Sequence, residues 1–243
     1  MRAPIPTIFV AIPVLNEEQP LGALLARLNA MPEIARVVVC DGGSVDKTVE
    51  IARENGALVA FATPNRGAQM NAGVAVLNQA GAIGGNAILW FLHADSWPHV
   101  RSGQSLARAA RRAIRGRKII GGNFQMRFDD RQRAARIFAG IGRVQRRLGI
   151  YYGDSGMWMR ADVFRELGGF QTWPLFEDYD LARRLEKFAR ENYARTICLR
   201  PPLVASARRF RRSPFRALAL WASLQILFWL GVSPRALAKL YHR

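Results

Sequence analysis

Cysteine and histidine are scarce in this chain. Cys40 and Cys198 stand 158 positions apart, so there is neither a disulfide framework nor a CxxC metal or redox pair. A reduced, cytoplasmic setting is the expectation. The three histidines are too few and too scattered for a zinc cluster. No apolar run reaches the ~20 residues of a membrane span. The opening stretch, interrupted by Pro4, Pro6 and Pro13, also lacks the order of a signal peptide. Repeats are missing, which excludes solenoids and fibres. No proline- or glycine-rich linker divides the chain, so no second independent domain is expected. GxxxxGK(S/T), GxGxxG, HExxH and GxSxG are all absent, removing the phosphate-loop, dinucleotide, zinc-protease and serine-hydrolase readings.

What remains is ample core material and an uneven charge. Half of the 243 residues are hydrophobic and the formal net charge is +18. Residues 1–95 and 154–191 each sum to −2, whereas 96–153 carry +12 and 192–243 carry +10 with no acidic residue. Nucleic acid, an anionic membrane surface or a phosphorylated substrate each suits two basic blocks.

The first half alternates strands and helices. Thr7–Val14, Arg36–Cys40, Ala57–Ala62 and Ala87–Leu92 are apolar, β-branched runs that predict strands. Between them, Glu18–Met31 carries Leu21, Leu24, Leu25 and Leu28 at helical spacing. A second helix follows Asp46, read as its N-cap, and Arg66–Gln79 predicts a third. Helices between near-continuous apolar strands imply an α/β fold with a mainly parallel central sheet covered on both faces. Ligands of such sheets bind beyond the carboxyl ends of the strands. The later chain predicts basic helices over Arg101–Arg117 and Arg131–Leu148 and a strand over Ile119–Phe128. Shorter elements follow, and Glu177–Glu191 predicts a further helix.

Acidic residues gather at the expected strand ends, in Asn16-Glu17-Glu18, Asp41–Asp46 and His93-Ala94-Asp95. Carboxylates crowded together repel unless a cation or ligand needs them. IPVLNEE (Ile12–Glu18), DGGSVD (Asp41–Asp46), RGAQMNAG (Arg66–Gly73), LHADS (Leu92–Ser96), GDSGMWMR (Gly153–Arg160) and FEDYDLARRL (Phe176–Leu185) occur in that order. Together, from about Ile8 to Arg209, they resemble family 2 glycosyltransferases of the GT-A fold, most closely the small bacterial single-domain type.

That resemblance implies an inverting transferase that moves a sugar from a nucleotide-diphosphate sugar to an acceptor. It implies a nucleotide pocket lined by Pro13, Asn16 and Glu17, with Asp41 beside the base and ribose and Gly43 giving the ligand room. Asp46 serves equally as helix cap or ligand contact, and Arg66 as phosphate neutraliser or plain surface arginine. His93-Ala94-Asp95 stands where the family has DxD. Asp95 is then the ligand of a divalent cation, Mn²⁺ or Mg²⁺, while His93 contacts ribose, ligates the ion or simply packs at the strand end. Asp178 is the expected general base with Glu177 the runner-up, though acidic residues in a first helical turn also favour the helix N-terminus. Asp154 faces the acceptor in this reading, Trp158 and Trp173 either stack on a sugar or pack in the core, and Arg208 and Arg209 reach back to the diphosphate or belong to the adjacent basic surface.

Two readings from other classes stand beside it: a basic nucleic-acid-binding module, which the acidic clusters oppose, and a sugar-phosphate nucleotidyltransferase, whose glycine-rich amino-terminal signature is missing. No nucleic-acid partner is expected. Residues 1–212 are read as the GT-A domain and 213–243 as a C-terminal helical segment. In it, Ala217–Val232 contains a single strongly polar side chain, Gln225. This segment either packs as a core helix or lies in an anionic membrane interface with Trp221, Phe228 and Trp229 inserted. The second alternative makes the protein peripheral to the inner face of the cell membrane, with a lipid-linked acceptor.

Overall fold

A computed structural model of the protein describes residues 6–81, 83–84, 86–116, 118–128, 133–205 and 214–241. Its first half alternates β1 (Thr7–Val14), α1 (Glu18–Asn29), β2 (Ile34–Asp41), α2 (Thr48–Glu54), β3 (Leu58–Phe61), α3 (Arg66–Gln79) and β4 (Ala87–Phe91). The second half holds β5 (Ser96–Trp97), α4 (Ser102–Gly116), β6 (Ile119–Phe128) and α5 (Arg133–Arg147). After a 3-10 turn at Gly153–Ser155 come β7 (Trp158–Arg160), α6 (Ala161–Glu166), α7 (Glu177–Glu191), β8 (Arg195–Ala205), α8 (Pro214–Trp229) and α9 (Pro234–Tyr241).

Among the described residues the strands form one eight-stranded sheet in the order β3-β2-β1-β4-β7-β6-β8-β5. The first four are parallel, and β7 enters antiparallel to both β4 and β6. The mainly parallel α/β sheet expected from the alternation is therefore present, with a mixed half added to it.

Alternation along β1 divides the core. Ile8, Val10, Ile12 and Val14 pack on one face with Leu21, Leu24, Leu25 and Leu28 of α1, while Phe9 and Ala11 pack on the other with Met70, Val74 and Leu77 of α3. Each fully buried leucine contributes about 1.5–3 kcal/mol by the usual transfer scale. That is what fixes α1 to the sheet, since Glu17 at its N-cap makes no side-chain cap bond. α4 buries Leu106, Ala109, Ala110 and Ala113. α2 begins at Thr48 with Lys47 at the N-cap position, one residue later than expected. Asp46 still serves the start of α2, because its carboxylate accepts from the Thr48 N–H.

A smaller apolar cluster lies between α7, α8 and α9, where Leu175, Phe176 and Tyr179 meet Leu224, Leu237 and Ala238. Phe228 sits 4.7 Å from Phe176 and 5.7 Å from Tyr179, and Trp221 lies 5.5 Å from Tyr241, between ring centroids. Trp221 and Phe228 thus point inward, not outward with Trp229 as the interfacial reading had them. Trp229 is 58% exposed. α8 is a core helix on one face and an apolar surface on the other. Among the described residues no helix is long and apolar enough to cross a membrane.

Candidate active site

β1, β2 and β4 run parallel, so their carboxyl ends share one edge. β4 pairs with β1 only as far as Ala11. Pro13, which has no N–H to give, therefore lies where one side of β1 has opened. Two loops leave this edge and are laced together. The Asn16 N–H donates to Ser44 Oγ at 2.9 Å, and Asn16 Oδ1 accepts from the Val45 N–H at 2.9 Å, with Asn16 held at φ +54°. The Glu17 N–H donates to Thr48 Oγ1 at 2.8 Å and the Glu18 N–H to Asp46 Oδ2 at 3.2 Å. Desolvation opposes the charge on Asp46, but the hydrogen bonds from Thr48 and Glu18 together outweigh it and hold its carboxyl below the usual range. Asp41 is buried, and its oxygens accept from the Gly43 N–H (2.9 Å), the Ser44 N–H (3.0 Å) and Ser44 Oγ (2.5 Å). Its observed work is to shape its own loop, in which Gly43 takes φ +97°.

The RGAQMNAG segment forms the first turns of α3 and acts as a brace. Buried Gln69 donates through Nε2 to the carbonyls of Val14 and Cys40, each at 2.7 Å, tying the ends of β1 and β2 together. Asn65 caps α3 by accepting from the Ala68 N–H and donates to the Trp173 carbonyl at 2.9 Å. Asn71 exchanges two bonds with the Phe170 backbone. Arg66 Nε lies 3.0 Å from Glu177 Oε1, which brings this arginine to the start of α7. Its guanidinium stays charged: partial burial opposes the charge, but Glu177, Asp178, Tyr241 and Asp154 outweigh it.

Glu177 and Asp178 open α7, after Phe176 at φ +68°. Asp178 Oδ2 accepts from the Gly153 N–H at 2.7 Å. A β-carbon on Gly153 would lie 3.0 Å from His93 Nε2 and 3.1 Å from Asp178 Oδ2. The end of β4 and the first turn of α7 therefore meet across this glycine, where a side chain would press on both His93 and Asp178 by a few tenths of an ångström. Glu177 is 2% exposed and its Oε2 has no hydrogen-bond partner among the described residues. Burial, and then the Asp178 charge, push its carboxyl up to about 7 against the pull of Arg66. Tyr152, just before Gly153, is held a neutral phenol by burial and by the charges of Asp178, Tyr179 and Asp154. It donates to Gln225 Oε1 of α8 at 2.7 Å.

Asp154 is half-buried in the 3-10 turn, and Asp95 is half-buried in the turn after β4. Trp158 is fully buried in the core with Trp90 and Phe124, so it has no face to stack on a sugar and that expectation is corrected. Arg208 and Arg209 lie outside the described residues. Sequence reasoning missed Gln69, Asn65, Asn71 and Tyr152. The available signal was two polar residues, Gln69 and Asn71, within a helix that otherwise packs Met70, Gly73 and Val74 on the sheet.

Among the described residues no three His, Cys, Asp or Glu side chains converge as a closed metal cage. An Mg²⁺ or Mn²⁺ ion shared with a diphosphate needs no such cage, being commonly held by one or two carboxylates plus phosphate oxygens and water. Asp95, with His93 two residues before it, fits that role.

The family described as Glycosyl transferase family 2 matches residues 9–168. An uncharacterized protein of Methanocaldococcus jannaschii, MJ1222, is 43% identical over 60 residues, 25% of this chain and 24% of that one. Among solved structures, a mannosyltransferase from Pyrobaculum calidifontis in complex with GDP-Man and Mn²⁺ superposes with a TM-score of 0.60 at 21% identity, over 90% of this chain and 61% of the other. TarS of S. aureus (residues 1–349) gives 0.59 at 17% identity, over 83% and 60%. Glucosyl-3-phosphoglycerate synthase from Mycobacterium tuberculosis, with Mn²⁺, UDP and glucosyl-3-phosphoglycerate, gives 0.50 at 19%, over 80% and 70%. The chain thus spans about a quarter of MJ1222 and about three fifths of the first of these structures.

Proposed function

Because the chain belongs to glycosyl transferase family 2 and has the GT-A fold, we propose that it transfers a sugar from a nucleoside-diphosphate sugar to an acceptor hydroxyl with inversion. The observation that carries this reading is the meeting of β4 and α7 across Gly153, which sets Asp178 against the sheet edge where Asn16, Asp41 and Asp46 organise the loops. In a single displacement the acceptor oxygen forms a bond to the anomeric carbon as its proton passes to the Asp178 carboxylate. The bond from that carbon to the diphosphate breaks, and the diphosphate leaves with the electron pair. A general base must stand within hydrogen-bond reach of the proton it takes.

Glu177 is less suited to that task, being buried and committed to Arg66. Asp154, in the turn that begins against Asp178, is assigned to an acceptor hydroxyl, and Pro13, Asn16, Glu17 and Gly43 to the nucleotide side. A Mn²⁺ or Mg²⁺ ion on Asp95 would neutralise the charge of the leaving diphosphate. Neighbours crystallised with GDP-Man or UDP suggest which donors to try first; the base and sugar are to be found by experiment.

The outer face of α8 supports a membrane site of action. Leu220, Ile226, Trp229 and Leu230 are exposed along it, Leu240 of α9 continues the patch, and exposed Arg216, Arg235 and Lys239 rim it. An anionic bilayer satisfies both features. A second copy would set these cations against their own counterparts. The acceptor is then one that such a surface presents, a lipid-linked hydroxyl.

The test is a hydrolysis screen over UDP- and GDP-sugars with Mn²⁺, followed by Asp178→Asn on the donor found. The variant keeps shape and loses the basic oxygen, so turnover is expected to fall about 10²–10⁴-fold with nucleotide affinity unchanged. Turnover at the wild-type rate would remove Asp178 from the role.

A further inference from the structure

We propose that α8 positions the proton-accepting carboxylate, through Gln225 and Trp229; the inference rests on the reading of Asp178 as the base. Across the cleft Asp178 accepts from the Gly153 N–H at 2.7 Å. The residue before Gly153 and the residue after Asp178 are both tied to α8. Tyr152 donates to Gln225 Oε1 at 2.7 Å, and Tyr179 Oη accepts from Trp229 Nε1 at 2.9 Å. The two tyrosine rings stack at 5.8 Å with 26° between their planes. One helix therefore sets the separation of the two backbones that the Asp178–Gly153 bond spans.

The polar character of these ties is what distinguishes positioning from packing. The cluster under α8 is otherwise apolar and aromatic. Gln225 is buried in it, and its Nε2 has no hydrogen-bond partner among the described residues. An unpaired buried amide donor costs stability, and an apolar residue of similar shape usually does better there. Packing alone would favour methionine or leucine at this position. The one return visible for the glutamine is its hold on Tyr152, and through Tyr152 on the Gly153 turn.

The experiment measures steady-state hydrolysis of UDP-glucose and GDP-mannose, water serving as acceptor, for Gln225→Met, Tyr152→Phe, their double variant and Trp229→Phe, with Tm for each. Displacing a catalytic group by ~1 Å costs on the order of 10²-fold. Each single variant is therefore expected to lose at least about tenfold in kcat, with donor KM unchanged and, for Gln225→Met, Tm unchanged or raised. The double variant should fall no further than Tyr152→Phe alone, because both changes remove one bond. A kcat within twofold of wild type, or a loss that appears equally in donor KM, overturns the positioning role whatever the Tm. A wild-type chain inert towards both donors and every other sugar nucleotide in the screen overturns the glycosyltransfer reading itself, and this inference with it.

Discussion

Two carboxylates side by side at one helix start cannot both ionise cheaply, and their surroundings decide which keeps the proton. Glu177 is enclosed, with one oxygen on Arg66 and the other without a hydrogen-bond partner among the described residues. Its carboxyl is raised to about 7, from an ordinary 4.5, by burial and by Asp178. The folded protein therefore binds this proton more tightly than the unfolded chain does. The stability so gained is whole below pH 4.5 and is lost as the pH rises through 7. Glu177→Gln removes the titration, so the stability of the variant relative to wild type should improve from pH 5 to pH 8. At 1.36 kcal/mol per pH unit the full window is worth up to about 3 kcal/mol. Urea unfolding at the two pH values measures it. Parallel pH–stability curves for the two proteins would show that Glu177 does not titrate in this range.

α3 shows at the level of an element what the sequence conceals. Its extent, Arg66–Gln79, follows from the sequence. Its partners do not, because Asn71 and Asn65 bond to Phe170 and Trp173, 99 and 108 positions away. No local periodicity reports such distances. The RGAQMNAG motif was visible as a motif, and its Arg66, expected as phosphate neutraliser or surface arginine, lies 3.0 Å from Glu177, a contact the sequence did not reveal. Trp158 misled for a related reason: β7 has three residues, too few for alternation to reveal which side is in. The strand-end clusters were legible because parallel strands must end on a common edge. Gly67 tests the brace. A β-carbon there would lie 2.2 Å from the Gln171 carbonyl oxygen, a backbone atom that cannot swing aside. Gly67→Ala should cost about 1–3 kcal/mol in urea unfolding and lower donor turnover by displacing the segment that leads to Glu177. Gly142 of α5 has nothing among the described residues within 4 Å of its would-be β-carbon, so Gly142→Ala should gain about 0.5–1 kcal/mol. Equal effects at the two sites would mean that α3 does not press on that loop.

Across the whole molecule, charge and apolar surface coincide at the carboxyl-terminal end. Residues 192–243 carry ten basic and no acidic side chains, and the exposed stripe of α8 lies among them. Sixteen helical residues extend about 24 Å, short of the ~30 Å hydrocarbon core, so the helix is suited to lying on a bilayer. Each basic residue near an anionic surface adds about 1 kcal/mol of attraction, and inserted Leu220, Ile226 and Leu230 supply the apolar part. The protein should pellet with phosphatidylglycerol vesicles at low salt, be partly released at high salt where the charges are screened, and stay in solution with phosphatidylcholine alone. Replacing Leu220, Ile226 and Leu230 together by serine should abolish pelleting while leaving Tm and soluble-donor hydrolysis near wild type, since these side chains face away from Tyr152 and Tyr179. Wild-type protein that remains in the supernatant with anionic vesicles at low salt would reject the membrane site. Concentration-dependent dimers lost in the triple-serine variant would assign the stripe to a second copy instead.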